Sequence, residues 1–403
     1  MDIFVARQPI FDIRLNVYAY ELLFRLGREN VFVDTDGDKA TSSVITDSFF
    51  LIGLESLTRG RKAFINFTQN LLMDETATIL PKDMLVIEIL ENVIPSKGII
   101  TACKKLKDSG YVLALDDFVF EPKFTPLIKL ADIIKVDFKL SGEEERQLLV
   151  QKFSSTKIKF LAEKVETQQE YEQAKEMGYS YFQGYFFSRP VIISSKDIPG
   201  NKINYLNILH EINLPEVNFN RIEGIVKRDV SISYKLLRFI NSAFFSFDTK
   251  VKSIKQALVL LGINEFRKWI SLIILKGMSD DKPEELLLIS ISRARFCELI
   301  AKDVNLKEQS TDLFFMGMFS MIHTFIGRPM AEILEKLPLS KETKDALLGE
   351  DGRFRDIYNL MLVYEKGEWD KISEQAKKLE IDLTKLHDSY IESLGWANQL
   401  LTN

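Results

Sequence analysis

The stretch "YVLALDD", residues 111–117, is a short apolar run that stops on two adjacent carboxylates, Asp116 and Asp117. Runs of this length, bounded by polar residues and rich in branched side chains, read as buried β-strands. Bulky residues, Phe118, Val119 and Phe120, follow at once, then Glu121 and Pro122. Working outward, the first 190 or so residues contain seven more such runs: "IFVAR", "NVYAYELLF", "KAFINF", "MLVIEIL", "DIIKVDF", "IKFLAEKV" and "YSYFQGYFF". Amphipathic helical stretches lie between most of them. One has clear boundaries: Thr167-Gln168-Gln169-Glu170 reads as a capping box and Gly178 as a helix stop. Strand and helix in alternation imply a parallel sheet. Eight strand candidates imply an α/β fold, a compact (β/α)8-like barrel. A typical barrel takes about 250 residues, so here some helices must be trimmed.

The texture changes near "SRPVIISSKDIPGNK", residues 188–202, which Pro190, Pro199 and Gly200 punctuate. Beyond it the strand patterns vanish. "FNRIEGIVKRDVSISYKLLRFINSAFF" and "SIKQALVLLGINEFRKWISLIIL" read as successive helices. In the second, Ile254, Ala257, Leu258 and Leu261 share one face, Ser253 caps the start and Gly262 the end. The organisation expected is a barrel over residues 1–195 and an all-α domain over 196–403.

The chain has 403 residues, 46% of them hydrophobic and 28% charged, with a net charge of −5. That balance does not suit a broad nucleic-acid footprint, which is usually basic. Cys103 and Cys297 are the only cysteines, so neither a disulfide framework nor a zinc–thiolate site is indicated. No apolar stretch approaches bilayer-spanning length. The N-terminus, "MDIFVARQPIFD", lacks a secretory apolar region. A cytoplasmic location is expected.

Polar residues recur where the strands end: Glu21, Asn66, Glu88, Asp116 with Asp117, Lys135, Glu163 and Gln183. The carboxyl ends of barrel strands converge on one face. Taken singly, a strand-end glutamate is also a solvated loop acid, and an Asp doublet is also a helix cap. The recurrence at nearly every strand end is what points to a site. So many carboxylates cannot all ionise together without a counter-charge. Hard divalent cations, Mg2+ or Mn2+, would supply it. Two such ions can clamp a phosphodiester and activate a water, with Lys135 orienting that water or stabilising charge.

These residues resemble the EAL domain, the cyclic di-GMP phosphodiesterase fold. The resemblance runs in order through "QPIFD" (Gln8, Pro9), "ELLFR" (Glu21 to Arg25), Asn66 in "NFT", "EILE" (Glu88, Glu91), "DDF", "KVD" (Lys135, Asp137), "AEKVET" and "QGYFFSRP" with Pro190. It implies metal ligation by Glu21, Asn66, Glu88, Asp116, Asp117 and Glu163. It implies catalysis at Lys135 and Glu21, with substrate contacts from Gln8, Arg25, Asp137, Gln183 and Pro190. Arg25 would meet a substrate phosphate, which suits a guanidinium fork, and Glu91 would support the loop after the aspartates. The sequence also departs from the family. That loop, Gly- and Ser-rich in relatives, here runs Val119-Phe120-Glu121-Pro122 without glycine, and Val and Phe cannot follow the backbone paths that Gly can. Lys164 stands where the family has Gly, either replacing part of a metal's charge or pointing to solvent. The Asn66–Glu88 and Lys135–Glu163 spacings are shorter than the family's.

"LLRFINSAFFSF" and "SIKQALVLLGINEFRKW" resemble the HDOD domain, an all-helical relative of metal-dependent HD phosphohydrolases, through Asn241, Ser242, Ala243 and Leu261-Gly262. Catalytic relatives carry adjacent His and Asp where this chain has "GMFSMIH", residues 317–323. Ser320 and Met321 are poor hard-metal ligands, so this half is expected to be non-catalytic and to serve protein interactions. His210, His323 and His387 read as packed or surface histidines. Two readings result: a weak or conditional metal-dependent cyclic di-GMP phosphodiesterase, and an inactive receptor or interaction scaffold in which the metal is absent. The family pairs near the loop that is altered here, so its habit does not by itself carry over; a homodimer stands as one expected assembly.

Overall fold

A computed structural model of the chain describes residues 3–26, 54–74, 76–116, 121–188, 200–214, 219–228, 230–241, 250–279 and 281–402. The chain divides into two compact units, residues 1–189 with 363–373, and residues 190–362 with 374–403.

In the first unit eight strands close a barrel: β1 (Ile3–Asp12), β2 (Val17–Leu26), β3 (Lys62–Phe67), β4 (Leu85–Ile89), β5 (Val112–Leu115), β6 (Ile133–Asp137), β7 (Lys159–Glu163) and β8 (Tyr181–Gln183). The alternation in the sequence implies a parallel sheet, and β2 through β8 follow it. β1 is the exception, antiparallel to both β2 and β8. The reason is the link to β2: the backbone turns back over Leu15, where Leu15 N–H donates to Asp12 C=O, and a link this short permits only an antiparallel pair. The trimmed helices are present too. β3 is followed by a five-residue helix, Gln69–Met73, and β5 by the short Thr125–Ile128. The helix between β7 and β8, Gln168–Met177, carries both halves of the Thr167/Glu170 capping box and stops at Gly178, whose φ is 99°.

The barrel interior is layered by the two-residue strand period. One apolar layer takes a residue from every strand: Ile10, Ala19, Phe64, Val86, Ala114, Ile133, Leu161 and Tyr181. Two residues further toward the carboxyl ends lie Glu21, Asn66, Glu88, Asp116, Lys135, Glu163 and Gln183. On the reversed strand β1 the same step runs backward, from Ile10 to Gln8. The polar ring is therefore the next storey of the same core.

The second unit is helical in its described residues. Its central helix, Glu284–Ile300, packs against Ser310–Phe319 and Leu383–Thr402. Ser253 caps the helix Ile254–Met278 by accepting from Gln256 N–H. Gly262 ends the helical stretch that starts at Ile254, as the sequence implies. It lies at φ 74° and ψ 166°. A second helical stretch follows, and its apolar run from Phe266 onward is largely buried.

Candidate functional site

The ring closes on Lys135. Its ammonium lies 2.6 Å from Glu88, 2.7 Å from Asp116, 2.9 Å from Glu163 and 3.5 Å from Glu21. Four carboxylates from four strands thus share one cation. Lys135 and Glu88 are fully buried, and Glu21 and Glu163 nearly so. Burial alone would push the Lys135 ammonium toward neutrality, but Glu163, Glu21, Glu88 and Asp116 outweigh it and hold its pKa well above the usual lysine value. Burial raises Glu88 well above the carboxylate range despite Lys135. Burial likewise raises Glu163 to about 8, opposed by Lys135 and reinforced by Asp116 and Glu21. One ammonium does not balance four anions, so part of the ring holds protons at neutral pH.

The amides complete the ring. Gln183 donates through Nε2 to Glu21 Oε2 at 2.6 Å and to Gln8 Oε1 at 3.2 Å. Asn66 pairs in register with Glu88 across β3 and β4. Five oxygens in the ring, Asn66 Oδ1, both oxygens of Glu88, Glu163 Oε2 and Gln183 Oε1, are buried without a hydrogen bond, and of these only Glu88 Oε1 has an ion-pair partner, Lys135. Unsatisfied buried acceptors are costly, and these are the hard oxygen donors that Mg2+ or Mn2+ takes. The residues therefore fit a divalent ion in donor chemistry. Among the described residues, however, no three acidic or imidazole groups already close around a common point as a metal cage. The point they share is Lys135 Nζ.

The remaining sequence-derived residues are placed as follows. Asp137, two residues above Lys135 on β6, accepts from the backbone N–H groups of Lys139 and Leu140 and pairs with Lys164. These partners hold it below the usual carboxylate range against its own burial. Lys164 is thus exposed to solvent while its ammonium pairs with Asp137. Its φ of 54° lies in the left-handed region, which explains why glycine suits this position. Glu91 is exposed after β4. Asp117 and Pro190, and the loop residues Phe118, Val119 and Phe120, lie outside the described residues.

Gln8 and Arg25 have partners that sequence reasoning missed. The stretch Val363–Ser373 belongs to the barrel's own unit. Gln8 Nε2 donates to Lys366 C=O at 3.0 Å. Arg25 Nη1 donates to Trp369 C=O at 2.8 Å and to Ser373 Oγ at 3.2 Å. These pairs span about 350 positions, and no local pattern in "YEKGEWDKIS" announces them.

In the helical unit, "GMFSMIH" is a packing element. A Cβ on Gly317 would lie 2.3 Å from Arg293 C=O, so the two helices meet backbone to backbone there. Ser320 Oγ donates to Gly317 C=O at 2.7 Å and accepts from Arg293 Nη1 at 3.1 Å. Met321 is buried. The guanidinium beside Ser320 opposes a metal cation. His323 is held below the usual histidine value by burial and by Arg293. His387 is buried and lowered to about 4, chiefly by burial. His210 Nδ1 lies 2.6 Å from Lys336 C=O.

Comparison with known proteins gives two family matches along the chain. The EAL domain matches residues 50–190 and the HDOD domain residues 198–340. YuxH of Bacillus subtilis is 39% identical over 409 aligned residues, covering 100% of this chain and 99% of its own length. The cyclic di-GMP phosphodiesterase CdgJ of Vibrio cholerae is 34% identical, covering 98% of this chain and 93% of its own. Among solved structures, Klebsiella pneumoniae BlrP1 with calcium and cyclic di-GMP is 24% identical, covering 47% of this chain and 56% of that one, at a TM-score of 0.40.

Proposed function

The chain belongs to the family of cyclic di-GMP signalling proteins that join an EAL domain to an HDOD domain, and on that premise we propose that its barrel is a weak or conditional metal-dependent phosphodiesterase opening cyclic di-GMP to the linear dinucleotide. The observation that carries this reading is the ring of Glu21, Glu88, Asp116 and Glu163 around Lys135, with four buried oxygens still lacking a partner.

Glu21, Asn66, Glu88, Asp116 and Glu163, with Asp117, would hold Mg2+ or Mn2+, in the sites of a two-metal centre. When bound, such ions supply a water acidic enough to attack at neutral pH and neutralise charge on the phosphate. Lys135 is the resident counter-charge of the ring and must yield the centre, staying close enough to orient the water. Gln183 fixes Glu21 by its amide hydrogen bond. In the reaction a water oxygen attacks phosphorus, the bond to one ribose 3′ oxygen breaks, and that oxygen leaves protonated. Arg25 spends Nη1 on Trp369 C=O and Ser373 Oγ, which competes with a full guanidinium clamp on a phosphate, and this engagement supports a conditional activity. The same two features, Lys135 in the centre and Arg25 occupied, favour a second reading, an inactive cyclic di-GMP receptor. On either reading the HDOD half is non-catalytic and serves protein contacts, and a homodimer is the assembly we propose.

The deciding experiment incubates the full-length protein with cyclic di-GMP and Mn2+ or Mg2+ and separates the products, beside a binding titration. Linear product that disappears in Glu21→Ala supports the enzyme. Saturable binding without product in either metal overturns it and leaves the receptor. Absence of both leaves a scaffold.

A further inference from the structure

The helical unit contains a cavity of about 270 Å³ whose lining combines two chemistries. Its walls are apolar: Trp269 and Leu272 from the helix Ile254–Met278, Ile291 from Glu284–Ile300, and Leu400 from the final helix. Among the described residues its polar lining is all cationic, Lys235, Arg238 and Lys276, with no carboxylate. Lys235 and Arg238 are three apart on one helix, so they share a face, and Lys276 stands one turn beyond Leu272. Arg238 and Lys276 are exposed and Lys235 is half-buried.

Neighbouring cations of the same unit behave differently. Lys268 pairs with both Glu265 and Glu298, and Arg295 with both Glu298 and Glu392. Among the described residues none of the three cavity cations has a salt-bridge partner. Apolar cavities with a few convergent polar groups are the usual form of small-molecule sites. Three cations of one sign at such a cavity select an anionic head, and a guanidinium fork matches a carboxylate in two bonds.

We propose that this cavity binds a single-chain amphiphilic carboxylate, its tail between Trp269, Leu272 and Leu400 and its head against Lys235, Arg238 and Lys276. Trp269 provides the readout, because its ring would line the bound tail.

The test titrates the full-length protein with decanoate below its micelle concentration, following tryptophan emission and, independently, heat of binding. Decanol and decyltrimethylammonium serve as neutral and cationic controls. The expected result is saturable binding of decanoate, at least about tenfold tighter than decanol, with the cation weaker still. The double variant Arg238→Glu/Lys276→Glu changes two exposed side chains and should erase that preference while its circular dichroism is unchanged. Leu272→Trp should abolish binding of decanoate and decanol alike. Equal binding of all three head groups, an unaffected charge variant, or no saturable binding of decanoate would overturn the proposal.

Discussion

The barrel ring and the "GMFSMIH" turn each bury polar groups, and they satisfy those groups in opposite ways. In the ring, four carboxylates surround one ammonium and several oxygens keep no hydrogen bond. At the turn, Ser320 is satisfied on both sides, by Gly317 C=O and by Arg293. The first arrangement is electrostatically unfinished and, on the function proposed, would gain from an added divalent cation. The second is complete and repels one. The difference lies in residue type at matched structural stations: acids at the strand ends, Ser and Met at the helix turn.

The largest test of that contrast is Lys135→Met. Removing the only cation from a buried acidic ring should cost about 3–5 kcal/mol in urea unfolding of the metal-free protein, with Mn2+ restoring part of it. No loss would mean that the carboxylates are already neutral without their lysine. A second test concerns pH in the helical unit. His387 is held neutral, its pKa lowered to about 4 from the ordinary 6.5. A depressed histidine contributes stability that is full above the unfolded value and fades as pH falls from 6.5 toward 4. The contribution amounts to about 3 kcal/mol when complete. His387→Leu should reduce the stability difference measured between pH 7 and pH 4.5, and an unchanged difference would place the acid sensitivity elsewhere. Third, Gly317→Ala forces a Cβ against the Arg293 carbonyl and should destabilise by about 1–3 kcal/mol, visible as a lower melting temperature. The smallest effect on turnover belongs to Ser320→Ala. Taking an acceptor from the buried Arg293 guanidinium should cost about 1–3 kcal/mol of stability and leave cyclic di-GMP turnover unchanged. A large loss of turnover would break the comparison, because it would give the turn a catalytic part.

Much of this was legible in the chain itself. Eight apolar runs, each closing on a polar residue, gave the strands and nearly all of the ring, because a strand's side chains alternate with a period of two and strand ends stop where burial stops. The capping box at Thr167 and the stop at Gly178 were equally local. The reversal of β1 was not foreseen, since alternation says nothing of direction; the short link to β2 decides it. The same reversal brings Gln8 into the ring by a step backward from Ile10. The stop at Gly262 was local as well, since its φ of 74° is open to glycine and strained for other residues.

By itself, then, the sequence determined which residues are polar at the strand ends, where helices start and stop, and which family the chain joins. Only the tertiary structure decided that those polar residues meet on one lysine, that Lys164 pairs with Asp137, and that Arg25 is held by Trp369 and Ser373. The physical reason is range. Periodicity and capping act within a few residues, whereas convergence depends on closing eight strands with one register. Partners some 350 positions apart are chosen by the folded shape.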